Sequence, residues 1–432
     1  MADHPKIPLR SPGLPAERHS HPWIHISALS TPDEAIPDGA LVAVTAPRSG
    51  HAVAIGYLNR RSQWAVRILT RDVRESIDAS WFGLRLAQAA ELRRRLGADA
   101  EACRLVNSEA DGLPGLVVDR YGPLLVAQCL TLGMERQRPL WTEALGALFP
   151  GAPLYERSEG AGRAREGLDP RTGWVTPPLG AIDLPVRIRE GAVLLEADPR
   201  TGQKTGLYLD QRVNRQMAAP LLAGGTLLDV FAYHGGFALH ALKAGAQQAC
   251  LVDLSADALS AARRNAEVNG LADRCRFAPA NAFDFLHDRA AAGDQFDGIV
   301  LDPPAFSRGR GSVDPAWRGY KEINLRALQM LGAGGTLVTC SCSHHFGRGL
   351  FLEMLNAAAR DARAQLQIVY CLGAAPDHPT LAGMPESEYL VCVVARAWPW
   401  AARRRRPRRT QSASAAPPAG EPPPAPAQQP LM

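Results

Sequence analysis

GTLLDVFAYHGGFALHALKAG, residues 225 to 245, decides the fold. Its first eight residues form an apolar run of strand length. After Gly235 the apolar positions return at helical spacing up to Gly245. A buried strand that feeds a helix through a glycine turn is the opening unit of a doubly wound parallel sheet. The pattern repeats downstream: ACLVDLS (249 to 255) is the next strand, and Ser255 is the expected N-cap of the helix ADALSAARRNAEVNG, closed by Gly270. FDGIVLDPP (296 to 304) and GGTLVTCSCS (334 to 343) are further strands that run out into polar residues. The fold class is therefore α/β, with a Rossmann-like sheet over residues 189 to 400. Ligands of such sheets bind beyond the carboxyl ends of the strands. Asp229, Asp253, Asp302 and Cys342 all fall at or just past such an end.

The first turn says which ligand to expect. A dinucleotide fold wants G-x-G-x-x-G there, so that backbone amides can approach a pyrophosphate. Here Phe231 and Tyr233 take places where glycine would be needed, and only Gly235 and Gly236 remain. S-adenosylmethionine carries no phosphate and needs only a tight turn near its cationic methionine end, which Asp229 suits. Asp253 lies 24 residues further on, near the spacing at which an acid binds ribose hydroxyls. Asn281, after FAPA, is placed to read an adenine edge. The plain alternative makes Asp229 and Asp253 caps of the turns that follow them. In order, and with D-P-P beyond, they point to S-adenosylmethionine.

Upstream the texture changes. ALVAVTA (40 to 46), HAVAIGYL (51 to 58) and WAVRIL (64 to 69) are short strands punctuated by glycine and proline, a small β-rich domain over residues 1 to 75. DASWFGLRLAQAAELRRRLG (78 to 97) switches to helical period, with Phe82, Leu86, Ala89, Ala90 and Leu96 on one side. A second β-rich stretch, CRLVNSEADGLPGLVVDRYGPLLVAQCL, follows it, and together they make an α+β middle domain over 76 to 188. Residues 401 to 432, arginine-rich and then Pro/Ala-rich, cannot bury a core and are expected to be disordered. Without that segment's six arginines and one glutamate, the formal charge of +5 vanishes, leaving 42 basic and 42 acidic residues in the first 400. Any RNA surface must then come from local patches. No stretch approaches the roughly 18 apolar residues of a membrane span, and MADHPKIPLR lacks a signal-peptide core; we expect a cytoplasmic protein. The eight cysteines include no C-x-x-C pair, which argues against a disulfide framework and against a zinc site, so no metal is expected.

At DPPAF (302 to 306) and TCSCS (339 to 343) the chain resembles the bacterial large-subunit (23S) ribosomal RNA cytosine-C5 methyltransferase I family. That family joins a PUA domain, a middle domain and a Rossmann-like class I methyltransferase domain. The likeness also runs through HPWIHIS (21 to 27), SEADGLPGLVVDRYG (108 to 122), GQKTGLYLDQR (202 to 212), RGYKEINLRAL (318 to 328) and DHP (377 to 379). It implies a PUA-type RNA binder at the N-terminus, S-adenosylmethionine as cofactor and 23S rRNA as substrate, with a homodimer left open. It also implies that the reactive thiol is the middle residue of Ser341-Cys342-Ser343, with Cys340 a packed neighbour. Tyr208 and Gln211 are expected on the cofactor side, and Arg212 and Lys321 toward the substrate.

The chemistry fits a thiol. Cytosine C5 is too weak a nucleophile to attack a methyl sulfonium until a thiolate has added to C6. A proton donor must assist at ring N3, and Asp302 is the expected group, holding N3 or N4, with Pro303 and Pro304 stiffening its loop and Phe306 stacking on the base. Two departures from the family pattern stand out. The basic residue usual before HPW is replaced by His19, Ser20 and His21, and Pro304 stands where many RNA cytosine-C5 enzymes carry a second cysteine. Cys340, Lys321 and Asp377 with His378 are candidate helpers for that vacant role. Arg60, Arg61, Arg67, Arg71 and Arg74, and the loop GRAREGL (162 to 168), are candidate phosphate contacts, against the plainer reading of a solvated face. The rivals are a nitrogen-directed rRNA methyltransferase (guanine N7, for example), in which Cys342 would be idle, and a non-catalytic RNA-binding assembly factor.

Overall fold

A computed structural model describes residues 4–10, 20–97, 101–306, 310–343 and 345–400; His19 and the tail from 401 onward lie outside the described residues. The N-terminal strands Lys6–Pro8, Trp23–Ile24, Leu41–Thr45, Ala52–Leu58 and Val66–Thr70 form one sheet in the spatial order first, third, fourth, fifth, second. Their alternation places Ile7, Val42, Val44, Leu58 and Val66 on a common buried face.

Next comes the helix Ala79–Arg95, whose N-cap Asp78 accepts the Trp81 amide at 3.0 Å. It buries Trp81, Phe82, Leu86 and Ala89 over a second five-stranded sheet, made of Ala102–Asn107, Leu116–Tyr121, Leu124–Cys129, Leu154–Ser158 and Arg171–Thr176. Leu96, expected on the same face, is 44% exposed, because the helix ends at Arg95 and the period no longer applies. The hairpin Val186–Glu190 and Val193–Ala197 runs across the expected division at residue 188, and its Ile188 and Leu195 pack into the core of the C-terminal sheet.

That sheet has seven strands: β1 (Thr226–Val230), β2 (Gln248–Asp253), β3 (Cys275–Pro279), β4 (Phe296–Leu301), β5 (Leu331–Ser341), β6 (Ala364–Leu372) and β7 (Val391–Pro399). Their spatial order is 3-2-1-4-5-7-6, with the first five parallel and β7 inserted antiparallel between β5 and β6. The helices α1 (Gly236–Lys243) and α2 (Ala256–Val268) cover one face. The other carries α3 (Ala282–Ala292), α4 (Val313–Met330) and α5 (Arg348–Asp361). With both faces covered, the central strands are apolar on both sides: Leu227 packs against α1 and α2, Leu228 and Val230 against α3 and α4. The order reverses between β1 and β4, so the crevice for a ligand opens at their carboxyl ends. Among the described residues no helix is long and apolar enough to cross a membrane, and no three His, Cys, Asp or Glu side chains gather in a way that could hold a metal ion.

Candidate active site

The turn after β1 is unusual in its backbone. Phe231 (φ 64°), Tyr233 (φ 47°) and Gly235 (φ 78°) are all left-handed; for the two aromatic residues this costs roughly 1–2 kcal/mol each. Asp253 at the end of β2 holds the turn, accepting the Tyr233 amide on one oxygen and the Ser255 amide on the other, both at 2.9 Å. The glycines allow close approach: a Cβ on Gly235 would lie 2.9 Å from Leu251, and one on Gly236 2.7 Å from Arg215. Asp229 is 1% exposed and accepts the Ala238 amide at 3.0 Å, so it caps α1 as the plainer reading had it. Burial pushes its carboxyl up to about 8, a cost that a neighbouring cation would relieve. His234 stacks on Tyr233 with ring centroids 3.7 Å apart, and its Nδ1 is buried without a hydrogen-bond partner. Asn281 caps α3 through its oxygen, 2.9 Å from the Phe283 amide, which leaves its amide nitrogen to read a ligand. Tyr208 meets Tyr233 edge-on at 5.2 Å. An uncharged acid under the turn, an acid at its rim and an orphaned ring nitrogen fit a ligand with one cationic end and a polar purine and sugar, the chemistry of S-adenosylmethionine.

Across the switch point, Asp302 follows β4 and Cys342 follows β5. Asp302 accepts from Gln211 Nε2 at 2.9 Å, and Asn214 in turn donates to Gln211 Oε1 at 2.6 Å. Gln211, expected on the cofactor side, is thus tied to Asp302. Burial, and then repulsion from Asp210, push the Asp302 carboxyl up to about 7, so it can still hold a proton near neutral pH. The Cys342 thiol points at the Pro303 carbonyl, 3.8 Å away, and burial and Asp302 push it up to about 11. Cys340 is fully buried and pairs in register with Cys392 of β7, as a packed residue should. Phe306 lies 4.6 Å from Tyr320 and 5.7 Å from Phe283 (ring centroids), half-buried in an aromatic wall at the site.

Sequence reasoning missed Tyr320, although it stands inside RGYKEIN. Its hydroxyl sits 3.0 Å from Ser341 Oγ and 2.9 Å from Ser343 Oγ, clamping both neighbours of the thiol. Tyr320→Phe should lower stability by about 1–2 kcal/mol and slow single-turnover methylation by roughly ten- to a hundredfold, with cofactor affinity unchanged. Thermal unfolding and rapid-quench kinetics on one preparation check both, and an unchanged rate would remove Tyr320 from the site.

Several expected residues are elsewhere. Lys321 of α4 is paired with Asp361, at the end of α5, at 2.6 Å. Arg212 is buried, donating to the Ala102 carbonyl at 2.6 Å and pairing with Asp377 at 3.2 Å, so it ties two parts of the chain together. Asp377 and His378 are buried on each other at 3.0 Å, in the same inter-domain network. Most of the arginines expected on RNA are already paired: Arg60 with Asp38, Arg67 with Glu109 and Glu166, and Arg74 with Asp72, while Arg71 donates to the His21 carbonyl. Arg163 of GRAREGL is buried against Glu135 and two backbone carbonyls. His21 is buried too and reaches Glu386 at 3.3 Å. Hydropathy patterns place a residue on an element but do not say which acid it meets.

Comparison with known proteins agrees with this geometry. Residues 173–388 match a family model described as an S-adenosylmethionine-dependent methyltransferase, and residues 12–71 match a PUA-like domain. The chain is 42% identical over 386 residues to the ribosomal RNA large subunit methyltransferase I of Aeromonas hydrophila, covering 87% of this chain and 95% of that protein. To the protein of the same name from Shewanella denitrificans it is 39% identical, covering 88% and 96%. Among solved structures, a candidate SAM-dependent methyltransferase from Streptococcus mutans superposes with a TM-score of 0.76 at 17% identity, over 91% of this chain and all of that one. A candidate methyltransferase solved in complex with S-adenosylhomocysteine superposes with a TM-score of 0.70 at 19% identity, over 83% and 92%; both share the fold.

Proposed function

Because the chain belongs to the ribosomal RNA large subunit methyltransferase I family and depends on S-adenosylmethionine, we propose that it methylates C5 of a cytosine in large-subunit rRNA through a covalent adduct at Cys342. A cytoplasmic location follows from that substrate. The cofactor supplies an electrophilic methyl group when bound, held by the turn at Phe231 to Gly236, with Asp253 at the sugar and Asn281 at the base. Cys342, as thiolate, adds to C6 of the cytosine, and Asp302 gives its proton to N3 as the ring's double bond opens, so electron density gathers at C5. After C5 is methylated a base takes its remaining proton, the C5–C6 double bond re-forms as the Cys342 thiolate leaves, and N3 returns its proton to the Asp302 carboxylate. Phe306 stacks on the base, and Pro303 fixes the thiol through its carbonyl.

One observation carries this reading: a thiol and a carboxyl that holds its proton near neutrality stand at adjacent strand ends, joined by the Cys342–Pro303 contact at 3.8 Å. The test is an RNA substrate containing 5-fluorocytosine, whose C5 fluorine cannot leave as a proton does. Full-length protein with S-adenosylmethionine should form a complex with this RNA that survives denaturing electrophoresis. Normal turnover on the unmodified RNA with no trapped complex would instead favour a nitrogen target.

A further inference from the structure

We propose that Gln211 and Asn214 are positioning residues that act through Asp302, together fixing Oδ2 as the oxygen that carries its proton toward ring N3. This rests on the covalent reading above and deepens it. A carboxyl has two oxygens, and only a proton on the one that faces the base can reach N3. Gln211 Nε2 donates to Asp302 Oδ1 at 2.9 Å. An oxygen that accepts this bond is the carbonyl oxygen of the protonated acid, so the proton sits on Oδ2. Oδ2 takes no hydrogen bond among the described residues, which leaves its proton to the base. Once the Oδ2–H bond has broken and N3–H has formed, the same Gln211 N–H stabilises the carboxylate that remains.

The opposite orientation of the Gln211 amide would defeat this. With Oε1 turned to Asp302, the amide would accept the carboxyl proton and hold it away from the base. Asn214 prevents the turn. Its Nδ2 donates to Gln211 Oε1 at 2.6 Å and to the Gly373 carbonyl at 3.0 Å. Were Asn214 itself turned over, its oxygen would meet the Gly373 carbonyl. A backbone carbonyl can only accept, so Gly373 sets the orientation of Asn214, Asn214 sets that of Gln211, and Gln211 sets the proton of Asp302. The cost is visible, since Asn214 Oδ1 is buried without a hydrogen-bond partner. Asn214 is 1% and Gln211 2% exposed, so water offers neither amide another arrangement.

The chain builds this relay locally. The turn Leu209–Gln211 runs directly into the helix Arg212–Ala218, so residues 211 and 214, three apart, share a face. Gly373 follows β6 directly, and two residues on the Ala375 amide donates to the Asp210 carbonyl at 2.9 Å, pinning the same loop to the same turn. Other charges bear on Asp302 without ordering its two oxygens. Asp210 opposes its ionisation, while Arg215 and Lys204 favour it. Asp229, Tyr208, Cys340 and Cys342 are each made harder to ionise by its anion. Gln211 is the group that bonds one oxygen and leaves the other.

The experiment is the pH profile of kcat/KM for full-length Asn214→Ala, Gln211→Met and the double variant on a short rRNA fragment. At about pH 6 the carboxyl is mostly protonated in every one of them, so the rate there reads where the proton sits rather than whether it is present. Each single variant should lose about ten- to a hundredfold at that pH, with S-adenosylmethionine affinity unchanged. The bend that lies at about 7 in the wild type should move upward by about one pH unit, because the donor that favoured the carboxylate is lost or turned away. The double variant should be no worse than Gln211→Met, since Asn214 acts through Gln211. A residue that only supports the fold would leave the bend in place and add its own loss. Should Asn214→Ala fail to fold, the bend of Gln211→Met decides. An unmoved bend in Gln211→Met, in a wild type that does trap 5-fluorocytosine RNA, overturns this inference alone. Additive losses in the double variant overturn the relay from Asn214. A wild type that forms no adduct overturns the covalent reading and this inference with it.

Discussion

Cys342→Ala should fold, bind S-adenosylmethionine with wild-type affinity, and lose methyl transfer by on the order of 10⁴-fold or more. The expectation rests on where the sulfur is. Cys342 is half-buried just past β5, with its sulfur 3.8 Å from the Pro303 carbonyl, so its removal disturbs little packing. The turn after β1, which we propose holds the cofactor, lies across the switch point and is held by Asp253 and by the β1–β2 pairing. Cys340→Ala is the matched control. That thiol is fully buried opposite Cys392, so its loss should cost about 1–2 kcal/mol of stability and leave the 5-fluorocytosine adduct intact. Isothermal titration with the cofactor, methylation of rRNA with labelled donor, and adduct gels on both variants decide the matter. A Cys342→Ala protein that still methylates within tenfold of wild type would remove covalent catalysis.

The two thiols also show what the sequence could and could not say. Strand–helix alternation from residue 225 onward was legible because burial on both faces makes parallel strands apolar throughout, and each such run gives way to polar residues at its carboxyl end. That rule placed Asp229, Asp253, Asp302 and Cys342 at or just past strand ends, where the structure has them, while the choice of Cys342 over Cys340 as the thiol came from the family resemblance. Their local duties were not legible. Whether Asp229 caps α1 or faces a ligand depends on the 3.0 Å bond to Ala238, and no periodicity encodes it. Tyr320 escaped for a different reason: its contacts are with Ser341 and Ser343, on another element about twenty residues further along the chain. The arginines of the N-terminal sheet misled in the opposite sense. Counted as charges they suggest an RNA surface; in the fold Arg67 is closed off between Glu109 and Glu166 and lies 4.4 Å over the Trp23 ring.

Asp302→Asn should lower kcat/KM by about 10²- to 10⁴-fold and also change the shape of its pH dependence. Reaction needs the carboxyl protonated and the thiol ionised. With the carboxyl at about 7 and the thiol at about 11, the wild-type kcat/KM should climb about tenfold per pH unit below 7, while the carboxyl keeps its proton and the thiolate fraction grows. Above 7 each gain in thiolate is cancelled by an equal loss of protonated carboxyl, and the curve should lie flat. Asparagine can keep the bond to Gln211 but has no proton to lose, so nothing cancels the thiol's ionisation. The variant's residual rate should therefore continue upward past pH 7. It should level off at a lower pH than the wild-type thiol's own ionisation would set, because an anion that opposed the thiolate is gone. Initial rates on a short rRNA fragment from about pH 6 to about pH 10 separate the two curves. A variant profile that flattens at the wild-type pH would mean that the proton reaching N3 comes from some group other than Asp302.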